Sequence, residues 1–351
     1  MKCATPFVLL AALSACATAT PARDAGPERA RAHDGRQWCA YITGFGTDQI
    51  CGIRVPSAKS MGCVRTGDKP HGVALARDGS RVYVSNEGTN TVSVVDASAM
   101  HVVATVPVGQ RPNQIALTPD GRSLWVTNNG DHNVSIVDTQ ENTVTRNLDV
   151  GRNPHIVVMN KSRGQALVTS EGDGAVDVFN LHTFERDRRI DVYGFPRVPT
   201  VAPHGDRAFL TLRWLNGALV IDLQAGTVAD RIAIGEQPFA EAGMVSHGVA
   251  TIHDGRIILL TTQTSGLLTW IDASTLEVAA SVRVGASPNW VEVTPDDRFA
   301  VVSNTGDDTA VVVDLQRRTI AGRASVGAKP KRLAVGACPQ ASTPSTGGQS
   351  P

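Results

Sequence analysis

Hydrophobic residues occur along most of the chain in short runs of five or six positions, each bounded by turn residues. Residues 82–86 (VYVSN) and 92–96 (VSVVD) are typical, and Asp78-Gly79 supplies a tight reversal before the first of them. Alternation with a period of two predicts β-strands, and Asp-Gly pairs favour the turns that join them. No helical period of 3.6 is sustained, so the pattern predicts an all-β protein.

These runs recur with a fixed period. Residues 67–108 and 109–150 align without a gap over 42 residues. Four further units continue the register, beginning at Gly151, near Tyr193, at Gly235 and at Gly285. Only the fifth unit breaks the period, by eight residues placed roughly at 239–246. Four strands fit in each unit, and this length is typical of a propeller blade, whose radial stacking buries both faces of a small sheet.

The repeat resembles the YVTN-repeat β-propeller family, which is named after strands like residues 83–86 (YVSN) and 125–128 (WVTN). The resemblance covers residues 67–326. It weakens in the fourth and fifth units, where residues 209–212 (FLTL) and 259–262 (LLTT) replace the motif. The resemblance implies a propeller of the YncE-like branch.

Fragments at the two ends of the repeat region complete a seventh blade. Residues 327–338 match only the first strand of a unit, whereas 38–45, 49–55 and 61–66 match the other three. Pairing them closes the ring and removes the two exposed sheet edges of an open array. We therefore predict an all-β, seven-bladed propeller over residues 37–338, with four antiparallel strands per blade and a last blade closed by both termini.

Four cysteines fall within this closing blade. In the repeat register, Cys39 and Cys338 lie at opposite ends of the turn between the first and second strands. Cys51 and Cys63 lie on the facing third and fourth strands. We predict the disulfides Cys39–Cys338 and Cys51–Cys63, which require an oxidising compartment. A metal site made by the four cysteines is disfavoured because no CxxC pair exists, and covalent haem is unsupported because CxxCH is absent.

The first residues indicate export. Residues 1–15 contain Lys2 and a short apolar run, which is typical of a signal peptide, and Leu13-Ser14-Ala15-Cys16 resembles the bacterial lipobox. We therefore expect Cys16 to carry lipid, in preference to an ordinary signal peptide that is cut near Ala17 or Ala19. An Ala at position 17 in place of Asp indicates the outer membrane. Residues 16–36 are expected to be a flexible tether and 339–351 a disordered tail.

The balanced net charge of the chain argues against recognition of a ligand through an overall electrostatic field. The chain has 33 basic and 33 acidic residues and a pI near 7.1, so it offers no overall attraction to nucleic acid or to anionic lipid. Membrane association is therefore expected through the lipid anchor alone. A ligand must be recognised locally.

One column of the repeat is polar in all seven blades. It follows the loop proline and is expected to form a ring at one mouth of the central channel. Its members are His71, Asn113, His155, Arg197, His247, Asn289 and Lys331. Loops between second and third strands emerge on the same face and are expected to bring further polar groups there. These are Asn86, Glu87, Asn128, His132, Glu171, Arg213, Trp214 and Gln263.

Three interpretations of the ring stay open. Its members cap strands around a water-filled channel, or they bind a polar or anionic ligand, with Arg213 and Trp214 as further candidates. The third is a metal held by His71, His155 and His247 on alternate blades. Trp290 and Glu292 are interpreted as packing irregularities.

The leading functional hypothesis is a monomeric binding or scaffold protein on the periplasmic side of the envelope, which recognises a partner protein or a small polar ligand at this mouth. The alternatives are a lactonase-like or metal-dependent enzyme using the same rim, and single-stranded DNA binding as the YncE-like resemblance implies. Catalysis is disfavoured because GxSxG, HExxH and a hydrolytic carboxylate cluster are absent. Nucleic acid is disfavoured because the basic and aromatic rim residues are few. No cofactor is predicted.

Overall fold

A computed structural model describes residues 36–235, 245–252 and 255–340. The predicted signal peptide, the lipidation site Cys16 and nearly all of the tether lie outside the described residues, as do the tail beyond residue 340 and most of the eight-residue insertion. The described chain forms seven four-stranded antiparallel sheets. Apart from one short 3-10 turn (Glu171–Asp173), its regular elements are all strands.

The strands follow the predicted repeat. The chain enters the closing blade, here blade 7, through β1 (Trp38–Gly44), β2 (Gln49–Val55) and β3 (Ser60–Arg65). Blade 1 comprises β4 (Pro70–Leu75), β5 (Arg81–Asn86), β6 (Thr91–Asp96) and β7 (His101–Pro107). Blade 2 comprises β8 (Pro112–Leu117), β9 (Ser123–Asn128), β10 (Asn133–Asp138) and β11 (Thr143–Asp149). Blade 3 comprises β12 (Pro154–Asn160), β13 (Gln165–Ser170), β14 (Ala175–Asn180) and β15 (Arg186–Asp191).

Blades 4 to 6 continue in the same order. Blade 4 comprises β16 (Pro196–Val201), β17 (Arg207–Leu212), β18 (Gly217–Asp222) and β19 (Thr227–Ala233). Blade 5 comprises β20 (Ser246–Thr251), β21 (Ile257–Thr262), β22 (Leu267–Asp272) and β23 (Val278–Arg283). Blade 6 comprises β24 (Pro288–Val293), β25 (Phe299–Asn304), β26 (Thr309–Asp314) and β27 (Thr319–Ser325). The last strand, β28 (Pro330–Ala337), pairs with β1, so blade 7 has the order β28-β1-β2-β3. The fold prediction is confirmed.

Both predicted disulfides are present in blade 7. Cys39 is bonded to Cys338 across 299 positions of sequence, and Cys51 is bonded to Cys63 across 12. Cys51 and Cys63 face each other in the β2–β3 register, as the alignment of third and fourth strands predicted. The two disulfides indicate an oxidising compartment outside the cytoplasm.

Burial differs between the middle and the edge of a blade. In β5 and β6 the central residues are buried on both faces, whereas exposed residues alternate with partly or fully buried ones along the outermost strand β7. Neighbouring blades pack through apolar clusters, such as Trp125 of blade 2 against Phe179 and Phe184 of blade 3. The hydrophobic core therefore lies between the sheets, around the ring.

The acidic and amide residues that end each third strand cap the following turn. Asp96 Oδ1, for example, accepts the N–H groups of Ser98 and Ala99. Equivalent bonds are made by Asp138, Asn180, Asp222 and Asp272. These side chains replace backbone partners in the turn, so they belong to the scaffold. Within the described part of the chain, no helix has the length and apolarity needed to span a membrane.

Candidate functional site

The polar ring surrounds one end of the central channel. In each blade the ring residue is the second residue of the innermost strand, so seven strands deliver seven side chains to the same level. All seven line one cavity of about 210 Å³. Five other residues complete its walls: Glu87, Arg111, Asn129, Glu171 and Arg332. We call this cavity the mouth pocket.

A column of buried hydroxyl groups positions the ring. Each hydroxyl lies on the second strand of one blade and donates to the carbonyl oxygen of the ring residue in the next blade. Thr127, for instance, lies 3.1 Å from the His155 oxygen while its hydroxyl accepts the Gln114 N–H of its own blade. The same cross-blade contact is made by Thr43, Ser85, Thr169, Thr211 and Ser303.

The junction between blades 5 and 6 is made differently. There the ring histidine His247 itself reaches the next blade, with Nδ1 2.6 Å from the Asn289 carbonyl oxygen. Because a carbonyl oxygen can only accept, His247 carries its proton on Nδ1 and leaves Nε2 as an acceptor. The ring is therefore tied to its neighbours by backbone carbonyls all the way around.

Arg332 crosses the channel beneath the ring. Its side chain is 1% exposed. One terminal nitrogen donates to Asn289 Oδ1 at 3.0 Å, and the other lies 3.2 Å from His155 Nε2 on the far side of the channel. The guanidinium also lies over the Trp290 ring, 4.3 Å from its centroid. All these partners are neutral.

Lys331, a member of the ring, adds a second cation next to Arg332 in the mouth pocket. Its ammonium group lies 5.4 Å from the centroid of the Phe45 ring, and it makes no ion pair with a described carboxylate. Burial, together with the positive charges of Arg332 and Arg197, lowers the pKa of Lys331 to about 8. Its charge is therefore costly in the empty pocket and would be favoured by a bound anion.

Two carboxylates on the mouth are already engaged by cations and histidines. Glu171 forms an ion pair with Arg197 and lies 3.4 Å from His155 Nδ1. Glu87 lies 3.1 Å from His71 Nδ1 and 3.8 Å from the exposed Arg111. The contact with His71 lowers the pKa of the Glu87 carboxyl, so that group is ionised at neutral pH.

The three ring histidines are neutral at physiological pH. Burial, opposed in part by Glu87, lowers the pKa of His71 to about 4. Burial and the nearby guanidinium groups lower the pKa of His155 and of His247 well below the usual range. The pocket therefore holds four cationic groups against two carboxylates, which gives it an excess of positive charge.

Each ring histidine already has a contact at one of its ring nitrogens. His71 contacts Glu87, His155 contacts Arg332, and His247 contacts the Asn289 carbonyl. Across residues 36–235, 245–252 and 255–340, no group of three His, Cys, Asp or Glu residues is placed to share a metal ion. The Arg332 guanidinium contacts His155 Nε2, so the arrangement described here gives no support to a metal held by His71, His155 and His247.

Several predicted rim residues lie elsewhere. Arg213 and Trp214 do not line the mouth pocket; they form an exposed cluster at blade 4, with the Arg213 guanidinium 5.3 Å from the Trp214 ring. Gln263 is also outside the pocket. Asn86 and Asn128 are fully buried and bridge the second and third strands, because their amide groups donate to hydroxyls within the blade.

His132 also belongs to the scaffold. Its Nδ1 accepts the backbone N–H of Asn153 in the next blade at 3.1 Å. The equivalent position is Asn90 in blade 1 and Asp308 in blade 6, and these accept the same kind of bond from Arg111 and Lys329. For this column the capping interpretation is correct, since each side chain satisfies the turn that precedes an innermost strand.

Sequence reasoning missed the central role of Arg332. In the repeat alignment its column contains Gly72, Gln114, Ile156, Val198, Gly248 and Trp290, so a single arginine among small and uncharged residues was the available signal. Trp290 and Glu292, interpreted from the sequence as packing irregularities, both line a second cavity at the other end of the channel. The Trp290 ring also stacks on the Arg332 guanidinium.

Comparison with solved structures gives many propellers. The chain is 18% identical to Kuenenia stuttgartiensis hydrazine synthase, with 78% of this chain and 91% of that chain covered and a TM-score of 0.71. It is 14% identical to a functionally unknown protein from Desulfotomaculum acetoxidans (86% and 99% covered, TM-score 0.72). It is 18% identical to the dihydro-heme d1 dehydrogenase NirN (84% and 74% covered, TM-score 0.61). At these identities the likeness shows the fold alone.

Comparison of sequences is more specific. No curated protein matches the chain significantly. The model of a family described as YNCE-like beta-propeller matches residues 32–164, which include the first three strands of blade 7 and all of blades 1 and 2. The repeat continues in register around the whole ring, so the chain is a seven-bladed propeller that is similar to the YNCE-like beta-propeller family over residues 32–164.

Proposed function

We propose that the protein is a binding module whose mouth pocket holds a small anionic group, such as a phosphate or a carboxylate. The observation that carries this proposal is Arg332, a fully buried guanidinium whose hydrogen-bond partners are a neutral amide and a neutral imidazole. A buried charge whose direct hydrogen-bond partners are all neutral is costly, and a bound anion would supply a counter-ion in direct contact. Lys331 stands next to it without a carboxylate partner among the described residues.

The pocket favours a compact anionic group over a long apolar ligand. Its volume is about 210 Å³ and its walls are amide, imidazole, guanidinium and carboxylate groups. Neutral histidines offer hydrogen bonds without adding positive charge, and Arg332 offers an Nε–H that has no partner in the described structure. Charge-assisted hydrogen bonds from Arg and Lys are the usual means of holding phosphate or carboxylate.

Isothermal titration calorimetry tests the proposal directly. Inorganic phosphate and succinate are titrated into the wild-type protein in a buffer without other multivalent anions, with glucose as a neutral polar control. We expect at least one anion to bind and glucose not to bind. Lys331→Gln and Arg332→Gln should each weaken binding about tenfold or more, whereas Lys59→Gln, on an exposed turn of blade 7, should not. Equal binding to all four proteins would contradict the proposal.

The anion can be free in solution or carried by a partner. An acidic side chain or the C-terminal carboxylate of another envelope protein presents the same chemistry as succinate. If wild-type protein captures an envelope protein and Arg332→Gln does not, the pocket recognises a partner. If only the free anions bind, the ligand is a small molecule.

We further propose that the chain is anchored by lipid on Cys16 and faces the periplasm, with the outer membrane as its destination. The lipobox-like residues 13–16 and the two disulfides support this placement. Metabolic labelling with an alkyne analogue of palmitate should mark the full-length protein and fail to mark Cys16→Ser. An unlabelled wild-type protein would contradict lipidation.

A second candidate, single-stranded DNA binding, rests on a different surface. Tyr193 is 92% exposed, and Phe195 packs edge-on against Trp214 with ring centroids 4.9 Å apart. Exposed aromatic rings next to Arg213 could stack on bases. Fluorescence anisotropy with a labelled oligothymidine tests this candidate: Tyr193→Ala combined with Trp214→Ala should abolish binding, and Val278→Ala on an outer strand should not. No binding by the wild-type protein would eliminate it.

A further inference from the structure

The end of the channel opposite the mouth pocket forms a second and larger cavity. Its volume is about 590 Å³, and its walls come from the second halves of the seven innermost strands. Most lining residues are apolar, for example Leu75, Ile115, Val158, Val201 and Val249. We call this cavity the funnel.

Arg332 and Trp290 separate the funnel from the mouth pocket. The guanidinium lines the mouth pocket, and the indole on which it stacks lines the funnel. The other cationic groups of the mouth pocket therefore lie on the side of this stacked pair that faces away from the funnel. Different side chains at the two ends give the channel two chemically distinct sites.

Two polar side chains of the funnel, Glu292 and Gln114, offer hydrogen-bond acceptors. Glu292 accepts one bond, from Trp290 Nε1 at 3.1 Å. Gln114 is 7% exposed; its amide nitrogen donates to the Ile115 carbonyl, and its Oε1 atom has no partner in the described structure. Among the residues that line the funnel, Glu292 and the exposed Lys161 are the two with ionisable side chains.

We propose that the funnel binds a small organic cation, namely an ammonium group on an apolar body. A carboxylate and an unpartnered amide oxygen, surrounded by valine, leucine and isoleucine side chains, require a ligand that donates hydrogen bonds and buries apolar surface. A neutral ligand could donate a hydrogen bond but would supply no counter-ion to the carboxylate, and an anionic ligand would be repelled by it, so both should bind more weakly than a cation. This site is independent of the anion site at the mouth.

The electrostatics of Glu292 agree with a cationic ligand. Burial raises its pKa to about 7, opposed by the bond from Trp290 and by the positive charge of Lys161. A carboxylate held this close to neutrality gains its missing counter-ion when a cation binds. The Lys161 side chain is exposed to solvent, so it does not take the place of a cationic ligand inside the funnel.

The test uses 4-phenylbutylamine, with 4-phenylbutanol as the neutral molecule of nearly equal shape. Calorimetry at pH 8, where Glu292 is ionised and the amine is protonated, should show binding of the amine and binding of the alcohol at least tenfold weaker. Glu292→Gln should reduce affinity for the amine about tenfold or more, and Gln114→Leu should reduce it by a smaller factor. Glu277→Gln, at an exposed turn of blade 5, is the matched control and should bind as the wild type does.

The outcomes separate this inference from the proposed function. Lys331→Gln should lose affinity for phosphate or succinate and keep its affinity for the amine, whereas Glu292→Gln should show the reverse. Circular dichroism confirms that each variant is folded before titration. Failure of the wild-type protein to bind the amine, equal affinities for amine and alcohol, or full binding by Glu292→Gln would each overturn the inference.

Discussion

Two adjacent cations, Lys331 and Arg332, define the mouth of the channel. The polar column that contains Lys331 could be predicted from the sequence, because the repeat register places the residue after each loop proline at the same level. Arg332 could not be assigned its role in this way, because its contacts with His155 and Asn289 cross the channel. A column of the alignment gives the height of a side chain along the channel axis, but it does not say which residues on other blades that side chain contacts.

The charge on Lys331 should reduce the stability of the ligand-free protein. Its pKa is lowered to about 8 from 10.5, so the unfolded chain binds this proton more tightly than the folded chain does. Replacing Lys331 with Gln removes that difference, and we expect a higher Tm at pH 7 without anions. The gain in Tm produced by phosphate or succinate should shrink in the same variant. Differential scanning fluorimetry checks both changes, with Lys59→Gln as control; a lower ligand-free Tm would contradict the prediction.

Anion binding should weaken as pH rises through about 8. Lys331 loses its proton there, before Arg332, whose pKa is lowered by burial and by the positive charge of Arg197 to about 9. Sulfate is a suitable ligand because it remains a dianion throughout this range. We expect its affinity to fall between pH 7 and pH 9.5 in the wild type and to change less in Lys331→Gln. An affinity that is constant or rises with pH in the wild type would rule out a role for the Lys331 charge.

The second strands of blades 1 and 2 have two functions that the repeat motif combines. In the segments YVSN and WVTN, the hydroxyl residue bonds the next blade and the asparagine bonds the third strand of its own blade. Sequence patterns predicted the existence and the limits of these strands, because alternation and turn residues are local signals. They did not predict the cross-blade bonds, because such contacts depend on how neighbouring sheets stack.

Removing one hydroxyl should destabilise the protein and disturb the ring. Thr127→Val keeps the shape of the side chain but leaves the Gln114 N–H without its acceptor and the His155 carbonyl without its donor. We expect a loss of about 1 to 3 kcal/mol in the free energy of unfolding. Thr143→Val, on the exposed end of β11, should change it by less than about 0.5 kcal/mol. Urea denaturation measures both; equal effects would mean that the hydroxyl column is not structurally important.

The ring as a whole is closed by pairing β28 with β1 and by a disulfide across the same two ends of the chain. Closure could be predicted from the sequence because one leftover strand at the C-terminal end complements three at the N-terminal end. The fifth blade was harder, since the insertion hides its register, yet His247 occupies the expected ring position. What sequence could not provide is the division of the channel into a cationic mouth and an apolar funnel.

The disulfide that joins the two ends of the chain should contribute more stability than the local one. Cys39–Cys338 closes a loop of 299 positions and Cys51–Cys63 a loop of 12, and constraint of the unfolded chain grows with loop length. We expect Cys39→Ser/Cys338→Ser to lower the free energy of unfolding by about 2 to 5 kcal/mol, and Cys51→Ser/Cys63→Ser to lower it less. Chemical denaturation under oxidising conditions compares the two; a larger loss from the local pair would contradict closure as a stabilising feature.

The central claim is that the mouth pocket binds an anion through Lys331 and Arg332. The most direct measurement is anomalous X-ray diffraction from crystals grown without sulfate or phosphate and then soaked in selenate. A selenium peak within hydrogen-bonding distance of both cationic groups, absent from crystals of Arg332→Gln, is the predicted result. Selenium peaks confined to the outer surface, with an empty mouth in the wild-type protein, would contradict the claim.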